Sequence, residues 1–303
     1  MNTTKCKAIL SAAVFGALAA SFPAQGALIL GDDLDSFTVL GSSTVTNTPT
    51  STIAGNVGVW SSGGANAITG FNSLSGVAVS DPQVTNGQVH AGTALAQSAQ
   101  GQLTTAMSNL SSLGEGTMLS LADLSGLTLA PGVYTVPAGE TNLSGSVTLD
   151  GEGNADAAWI FQMPSTLITS PNSVVNVINT GSGAGLFWNV GSSATIDVNS
   201  TFLGNILASE SITMNTTATD VCGRALASNG AVTLDQNSLS GICTDMFAGS
   251  SGLNGGLDVT SGGEISFRPF RSTEPATSVP EPSTLILAGL GLAGLAFRRR
   301  RQR

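Results

Sequence analysis

Gly204-Asn205-Ile206-Leu207-Ala208-Ser209-Glu210-Ser211-Ile212-Thr213-Met214-Asn215 is followed by a second version of itself, Gly223-Arg224-Ala225-Leu226-Ala227-Ser228-Asn229-Gly230-Ala231-Val232-Thr233-Leu234-Asp235. Leu-Ala-Ser recurs after 19 residues and an apolar-Thr-apolar-Asx tetrad after 20. The tetrad appears earlier as Val147-Thr148-Leu149-Asp150 and, more loosely, as Ala194-Thr195-Ile196-Asp197, while Thr166 lies 18 residues beyond Thr148. Thr148, Thr166, Thr195, Thr213 and Thr233 thus form one candidate column, with steps of 18, 29, 18 and 20. The step of 29 holds the run Gly181-Ser182-Gly183-Ala184-Gly185, read as a loop insertion. A period this short, without helical spacing, predicts a β-solenoid of three short strands per turn. Side chains alternate between faces of a strand, so Val and Leu of each tetrad point inward and Thr points out. Stacked coils then place the threonines in a file about 4.8 Å apart.

One segment breaks the alternation. Gly92, Leu95, Ala99, Leu103, Ala106, Met107 and Leu110 recur at steps of three and four. This predicts one long amphipathic helix over about 85–113, lying along the solenoid. Ser80-Asp81-Pro82 offers its start and Gly114 its stop. The helix would carry His90 as a surface residue. Further on, Leu257-Asp258-Val259 and Ile265-Ser266-Phe267 alternate again, and predict terminal strands leading into a Gly/Ser/Pro linker over 249–278.

Composition agrees with many short strands and tight turns. Of 303 residues, 38 are glycine and 10% are charged, against about a quarter in ordinary domains. Between Ala27 and Val279, three arginines (Arg224, Arg268, Arg271) face 18 Asp and Glu, so the body carries about −15. Nucleic-acid binding needs cations to displace phosphate counterions, and anionic lipid needs the same, so both are excluded as partners.

The ends are addresses. Met1 to Gly26 has the basic start (Lys5, Lys7), apolar stretch and Ala24-Gln25-Gly26 cleavage context of a signal peptide. At the other end, Val279-Pro280-Glu281-Pro282-Ser283-Thr284 precedes 13 apolar or small residues, Leu285 to Phe297, and a cluster of arginines. Thirteen is short of the roughly 20 needed to span a bilayer, and the arginines act as a cytoplasmic stop. Residues 279–303 resemble the PEP-CTERM sorting signal of Gram-negative bacteria. That resemblance implies signal peptidase and exosortase as export partners, transient inner-membrane anchoring, and a cell-surface or extracellular destination.

Residues 27–248 remain as the solenoid body. Its two cysteines, Cys222 and Cys243, lie 21 residues apart, near one repeat. An oxidising compartment permits a disulfide between adjacent coils; buried free thiols are the other reading. Two cysteines and one histidine do not make a zinc site. Asp32-Asp33-Leu34-Asp35 lacks the spacing of a calcium loop and reads as turn and cap residues. A Ser-His-Asp triad would have to use His90, and no nucleophile-elbow motif surrounds any serine. The expectation is therefore no enzyme, no catalytic residue, no cofactor and no metal.

The body also resembles a known family. The residues that carry this are Phe37-Thr38-Val39-Leu40-Gly41-Ser42-Ser43-Thr44-Val45-Thr46-Asn47-Thr48, Ile53-Ala54-Gly55-Asn56-Val57-Gly58-Val59, Leu129-Ala130-Pro131-Gly132-Val133-Tyr134, Ala158-Trp159-Ile160-Phe161-Gln162 and the two copies quoted first. From about Ser36 to Gly241 the chain resembles the DUF3494 ice-binding proteins. The resemblance implies a right-handed, discontinuous β-solenoid of triangular section with one long helix alongside. It also implies an ice-binding face carrying Thr-[Ala/Gly]-x-[Thr/Asn] motifs. Counterparts here are Thr48-Pro49-Thr50-Ser51, Thr169-Ser170-Pro171-Asn172, Thr216-Thr217-Ala218-Thr219 and Val198-Asn199-Ser200-Thr201, none with Ala or Gly second. The candidate ice contacts are thus Thr48, Ser51, Thr169, Asn172, Thr201, Thr216 and Thr219, with the Thr148 to Thr233 column as a second set.

The functional expectation is a secreted or surface-displayed monomer that adsorbs to ice through a flat Thr/Ser/Asn face. The alternative is a matrix or adhesion protein that binds extracellular polysaccharide with the same fold.

Overall fold

The computed structural model describes residues 27–273 apart from residues 62 and 261. The leader, residues 1–26, and the sorting motif Pro280, Glu281, Pro282 lie outside the described residues.

The chain is mainly β, and its parallel strands stack in three files. The helix-side file contains Thr117–Met118, Gly132–Thr135, Ala158–Met163, Gly185–Val190, the second halves of Thr201–Ala208 and Thr219–Ala227, then Phe37–Gly41, Asn56–Val59 and Val89–Ala91. The second file, called here the threonine file, contains Leu167–Ile168, Ala194–Ile196, Ile212–Met214, Val232–Asp235, Val45–Thr48 and Ile68–Thr69. The third contains Thr128–Leu129, Ser146–Asn154, Val174–Thr180, the first residues of Thr201–Ala208 and Thr219–Ala227, then Ser238–Ser240, Thr52–Ala54 and Val84–Thr85.

The stacking order does not follow the sequence. Val232 pairs with Val45, Leu226 with Leu40, and Ser238 with Thr52. The first coils of the chain therefore sit on its last, and the solenoid is discontinuous. The helix Ala94–Ser112 makes this topology possible. Nineteen residues rise about 28 Å, roughly six coil spacings, and carry the chain back so that the remaining coils fill in behind.

The helix begins later than the spacing predicts. Residues 84–85 and 89–91 are strands, paired with Ile53–Ala54 and Val57–Val59. Thr93 is the N-cap, its hydroxyl accepting from the Ala96 amide. Asp81 caps a turn instead, accepting from the amides of Gln83 and Asn72. His90 consequently lies on a strand, 6% exposed, and is not a surface residue. The apolar stripe is otherwise as read: Ala99, Leu103, Ala106 and Leu110 bury against Leu40, Ile160, Phe187, Leu207 and Leu226.

Inside the coils, inward Val, Ile and Leu side chains stack into one core. Tyr134, Phe161, Trp188 and Phe202 form a ladder with successive ring centroids 5.8, 4.2 and 5.0 Å apart. In the coils at 201–227 the third-file and helix-side stretches form one continuous strand, kinked at a bulge beside Gly204 and Gly223. A side chain at Gly223 would meet the Gly204 carbonyl oxygen at 2.1 Å, so only glycine fits. The coil holding Gly181–Gly185 runs its third-file strand on to Thr180 and turns afterwards, which accounts for its extra length.

A buried polar network joins the first and last coils. The Arg224 guanidinium, fully buried, donates to the Asp35 carboxylate at 2.8 Å and to carbonyls of Asp35, Ser251 and Gly252. Asp220 sits nearby with both carboxyl oxygens sealed from solvent and without a well-formed hydrogen bond. Burial pushes its carboxyl well above the usual range, although the amides of Cys222 and Gly204 and the Arg224 charge pull it back. Cys222 and Cys243 are joined as a disulfide, and Leu257–Val259 pairs with Ile265–Phe267 as an antiparallel hairpin beside the helix.

Candidate functional face

The threonine file presents the most regular outer surface. Within Val45–Thr48, Val45 and Asn47 point inward and are buried, while Thr46 and Thr48 are exposed. The same alternation runs through Ile212–Met214 and Val232–Asp235. Thr195 pairs with Thr213, Thr213 with Thr233, Thr233 with Thr46, and Thr46 with Thr69. Five threonines in register on five adjacent strands make a straight file about 4.8 Å apart. Ile168 continues it beyond Thr195.

Two further columns flank this file. Two residues earlier on each strand stand Thr166, Ser193, Ser211, Ala231 and Thr44; two residues later stand Asp197, Asn215, Asp235 and Thr48. Outward positions along one strand are about 6.7 Å apart, so the face is a grid of short, mostly uncharged groups. Bonds between coils hold the later column: Asn215 donates to Asp197 at 2.8 Å, and Thr216 to Asp235 at 2.5 Å. Arg224 is buried, whereas Arg268 and Arg271 pair with Asp258 and Asp156. Among the described residues, then, no cation lies on this face.

The structure redistributes the residues singled out by sequence. Thr195, Thr213 and Thr233 share one column. Thr166 lies on the same face but in the neighbouring column, because Ile168 is the residue opposite Thr195. Thr148 belongs to the third file, where it pairs with Asn176 and Thr128. The apolar-Thr-apolar-Asx tetrad fits any half-buried strand, so it does not distinguish files. Spacing does not single out Thr46 and Thr69, because both join the column only through the pairing of Thr46 with Thr233, 187 residues further along the chain.

The tetrapeptides resembling ice-binding motifs fall at the corner between the threonine file and the third file. Counted back from the third-file column Val174, Thr201, Thr219, Ser238, Thr52, the aligned stretches are Pro171–Val174, Val198–Thr201, Thr216–Thr219, Asp235–Ser238 and Pro49–Thr52. The second residue takes a left-handed conformation at Asn172, Asn199, Thr217 and Gln236, with φ of 62°, 57°, 62° and 54°. The third is buried. In this register Thr169 and Ser51 point inward, at 2% and 0% exposed. Asn172 sits on the corner, Thr48 and Thr216 border the threonine face, and Thr201 and Thr219 lie on the third face.

That third face is less even. Val174, Leu203, Val221 and Ile178 interrupt it, and Thr244–Phe247 walls a groove of about 380 Å³ against them. A larger groove, about 700 Å³, lies by the C-terminal half of the helix, among Met107, Met118, Met163, Gln162 and Asn189. Its one acidic side chain is Glu115, so it holds no pair of carboxylates. His90 Nδ1 lies 3.2 Å from the Thr93 hydroxyl, its ring is edge-on to Phe37, and burial lowers its pKa.

A discontinuous solenoid with a helix returning alongside and a column of threonines in register on five strands is the architecture this sequence specifies. Residues 39–240 match the Ice-binding-like family, and the chain belongs to it. Residues 278–301 match the PEP-CTERM protein-sorting motif. The chain is similar to an ice-binding protein of Nostoc sp. (strain HG1), 37% identical over 96% of this chain and 94% of that one. It is also similar to one from Flammulina populicola, 30% identical over 74% and 93% of the two chains. The crystal structure of an ice-binding protein from the Antarctic ascomycete Antarctomyces psychrotrophicus superimposes with a TM-score of 0.61, at 32% identity, over 71% of this chain and 98% of that one.

Proposed function

We propose that this protein adsorbs to ice through the threonine face, centred on Thr195, Thr213, Thr233, Thr46 and Thr69. The observation that carries this reading is the five-coil register of those threonines. Each threonine offers a methyl and a hydroxyl on a stiff β-branched stem. A rigid array loses little conformational entropy on contact, and ordered water bridging the hydroxyls binds almost as well as direct contact. An extended, mostly uncharged grid of this kind matches a solid with a repeating lattice better than a soluble ligand. On this reading the solenoid is right-handed and triangular in section, as the family resemblance implies, and the family supports a binding protein in place of an enzyme.

The division of the chain follows from this reading. Residues 1–26 are removed by signal peptidase. Residues 27–248 are the ice-binding body, acting as a monomer, and 249–278 form terminal strands and a linker. The PEP-CTERM segment anchors the chain transiently in the inner membrane until exosortase cuts it, leaving the body at the cell surface or outside. The test is to grow a polycrystalline ice hemisphere slowly from a solution of the purified protein. Enrichment in the ice is the expected outcome; exclusion of a folded sample contradicts the reading.

A further inference from the structure

Each coil turns from the threonine file into the third file through one inward residue: Ser173, Ser200, Ala218, Asn237 and Ser51, in stacking order, each at most 2% exposed. A corner breaks both sheet ladders, and its buried backbone groups need other partners. The Ser200 hydroxyl donates to the Ser170 carbonyl at 3.2 Å and lies within hydrogen-bond distance of the Thr169 and Ser173 hydroxyls. The coil of Ala218 has no such side chain. Asn237, one coil on, reaches back for it. Its Nδ2 donates to the carbonyls of Asn215 and Ala218 at 2.8 and 2.9 Å, and its Oδ1 accepts from the Asp235 amide at 2.6 Å.

The same residue faces forward across the break in the solenoid. The Asn237 amide donates to the Ser51 hydroxyl at 3.0 Å, and that hydroxyl donates to Asn47 at 2.6 Å. Gln83 then accepts from the Ser51 amide and from Asn47, and donates to the Gly70 carbonyl. One chain of hydrogen bonds, buried at Ser51 and Asn237 and reaching the surface at Gln83, thus runs under the corner from the coil of Thr213, through that of Thr233, to those of Thr46 and Thr69.

We propose that Asn237, acting with Ser51, is a positioning residue for the threonine face. The coils carrying Thr233 and Thr46 lack covalent continuity, so their relative height rests on non-covalent contacts alone. Asn237 fixes the corner backbone on both sides of that junction and holds Thr213 and Thr233 level with Thr46 and Thr69. Its uncharged amide supplies two donors and one acceptor where three backbone groups converge. This inference rests on the ice-binding reading.

The test compares Asn237→Ala and Ser51→Ala with Leu234→Ala, which removes a fully buried apolar side chain from the same coil. Uptake into growing ice is measured per folded molecule, with folding checked by circular dichroism near the freezing point, and thermal midpoints are recorded separately. The expected result is a several-fold loss of uptake for Asn237→Ala and Ser51→Ala, with wild-type uptake for Leu234→Ala despite its lower midpoint. Undiminished uptake by folded Asn237→Ala overturns the inference, however much its midpoint falls. If Asn237→Ala does not fold, Ser51→Ala decides by the same criterion. Exclusion of the wild-type protein from ice would overturn the ice reading and this inference with it, whereas uptake unchanged in the variants overturns this inference alone.

Discussion

Arg224→Ala should be among the most destabilising single changes in the body. The side chain is fully buried and bridges Asp35, the last residue of the short helix Asp32–Asp35, to the loop at Ser251–Gly252. Truncation takes the counter-charge from the Asp35 carboxylate and removes donors from three carbonyls; it also takes away the positive charge beside Asp220. Breaking a buried ion pair from one side costs about 3–5 kcal/mol. Asp35 keeps Asn254 and Ser251 as donors, at 2.7 Å each, which favours the lower half of that range. A domain of this size loses about 2–4 °C per kcal/mol, so a cost of about 3–4 kcal/mol should lower the midpoint by roughly 6–16 °C. Heating followed by far-ultraviolet circular dichroism measures this, and amide exchange should quicken at Phe37–Gly41, the strand that follows Asp35. A midpoint within about 2 °C of wild type would show that the network does not hold the first coil to the last.

Other consequences follow from the same coordinates. Replacing Cys222 and Cys243 by serine opens a loop of 21 residues and should cost about 3 kcal/mol, seen as a lower urea midpoint that reductant no longer affects. His90 has a pKa lowered by burial from 6.5, so its neutral form is the one the fold accommodates. Its contribution is complete above the unfolded value and is lost as pH falls through the folded one. The stability difference between wild type and His90→Gln, measured by urea unfolding, should therefore shift against the wild type between about pH 7 and pH 5; a difference independent of pH would contradict this.

The repeat was legible because inward and outward residues alternate, and the tetrads at Thr195, Thr213 and Thr233 mark three consecutive coils of one file. Spacing alone did not separate files, so Thr148 was placed with strands on another face and Thr166 was offset by two residues. The return of the first coils onto the last left no local trace, since it depends on pairs such as Val45 with Val232. That pairing brings Thr46 and Thr69 onto the face, and residues 84–85 and 89–91 are strands paired with the first coils, where helical spacing extended the helix too far. The corner residues were visible as motif-like tetrapeptides, but their inward third position follows from the left-handed residue before it. Thr169 lies before its corner stretch and Ser51 follows a residue that is not left-handed, yet both point inward and are buried.

Ice uptake by two paired variants tests the central claim most directly. Thr213→Tyr with Thr233→Tyr places bulky rings in the middle of the threonine face, whereas Thr201→Tyr with Thr219→Tyr does the same on the third face. Both pairs replace outward side chains, so both should fold. The account predicts that the first pair abolishes enrichment in a growing ice hemisphere, along with thermal hysteresis, while the second retains both. Enrichment by the first pair at the wild-type level would contradict the assignment of the threonine face.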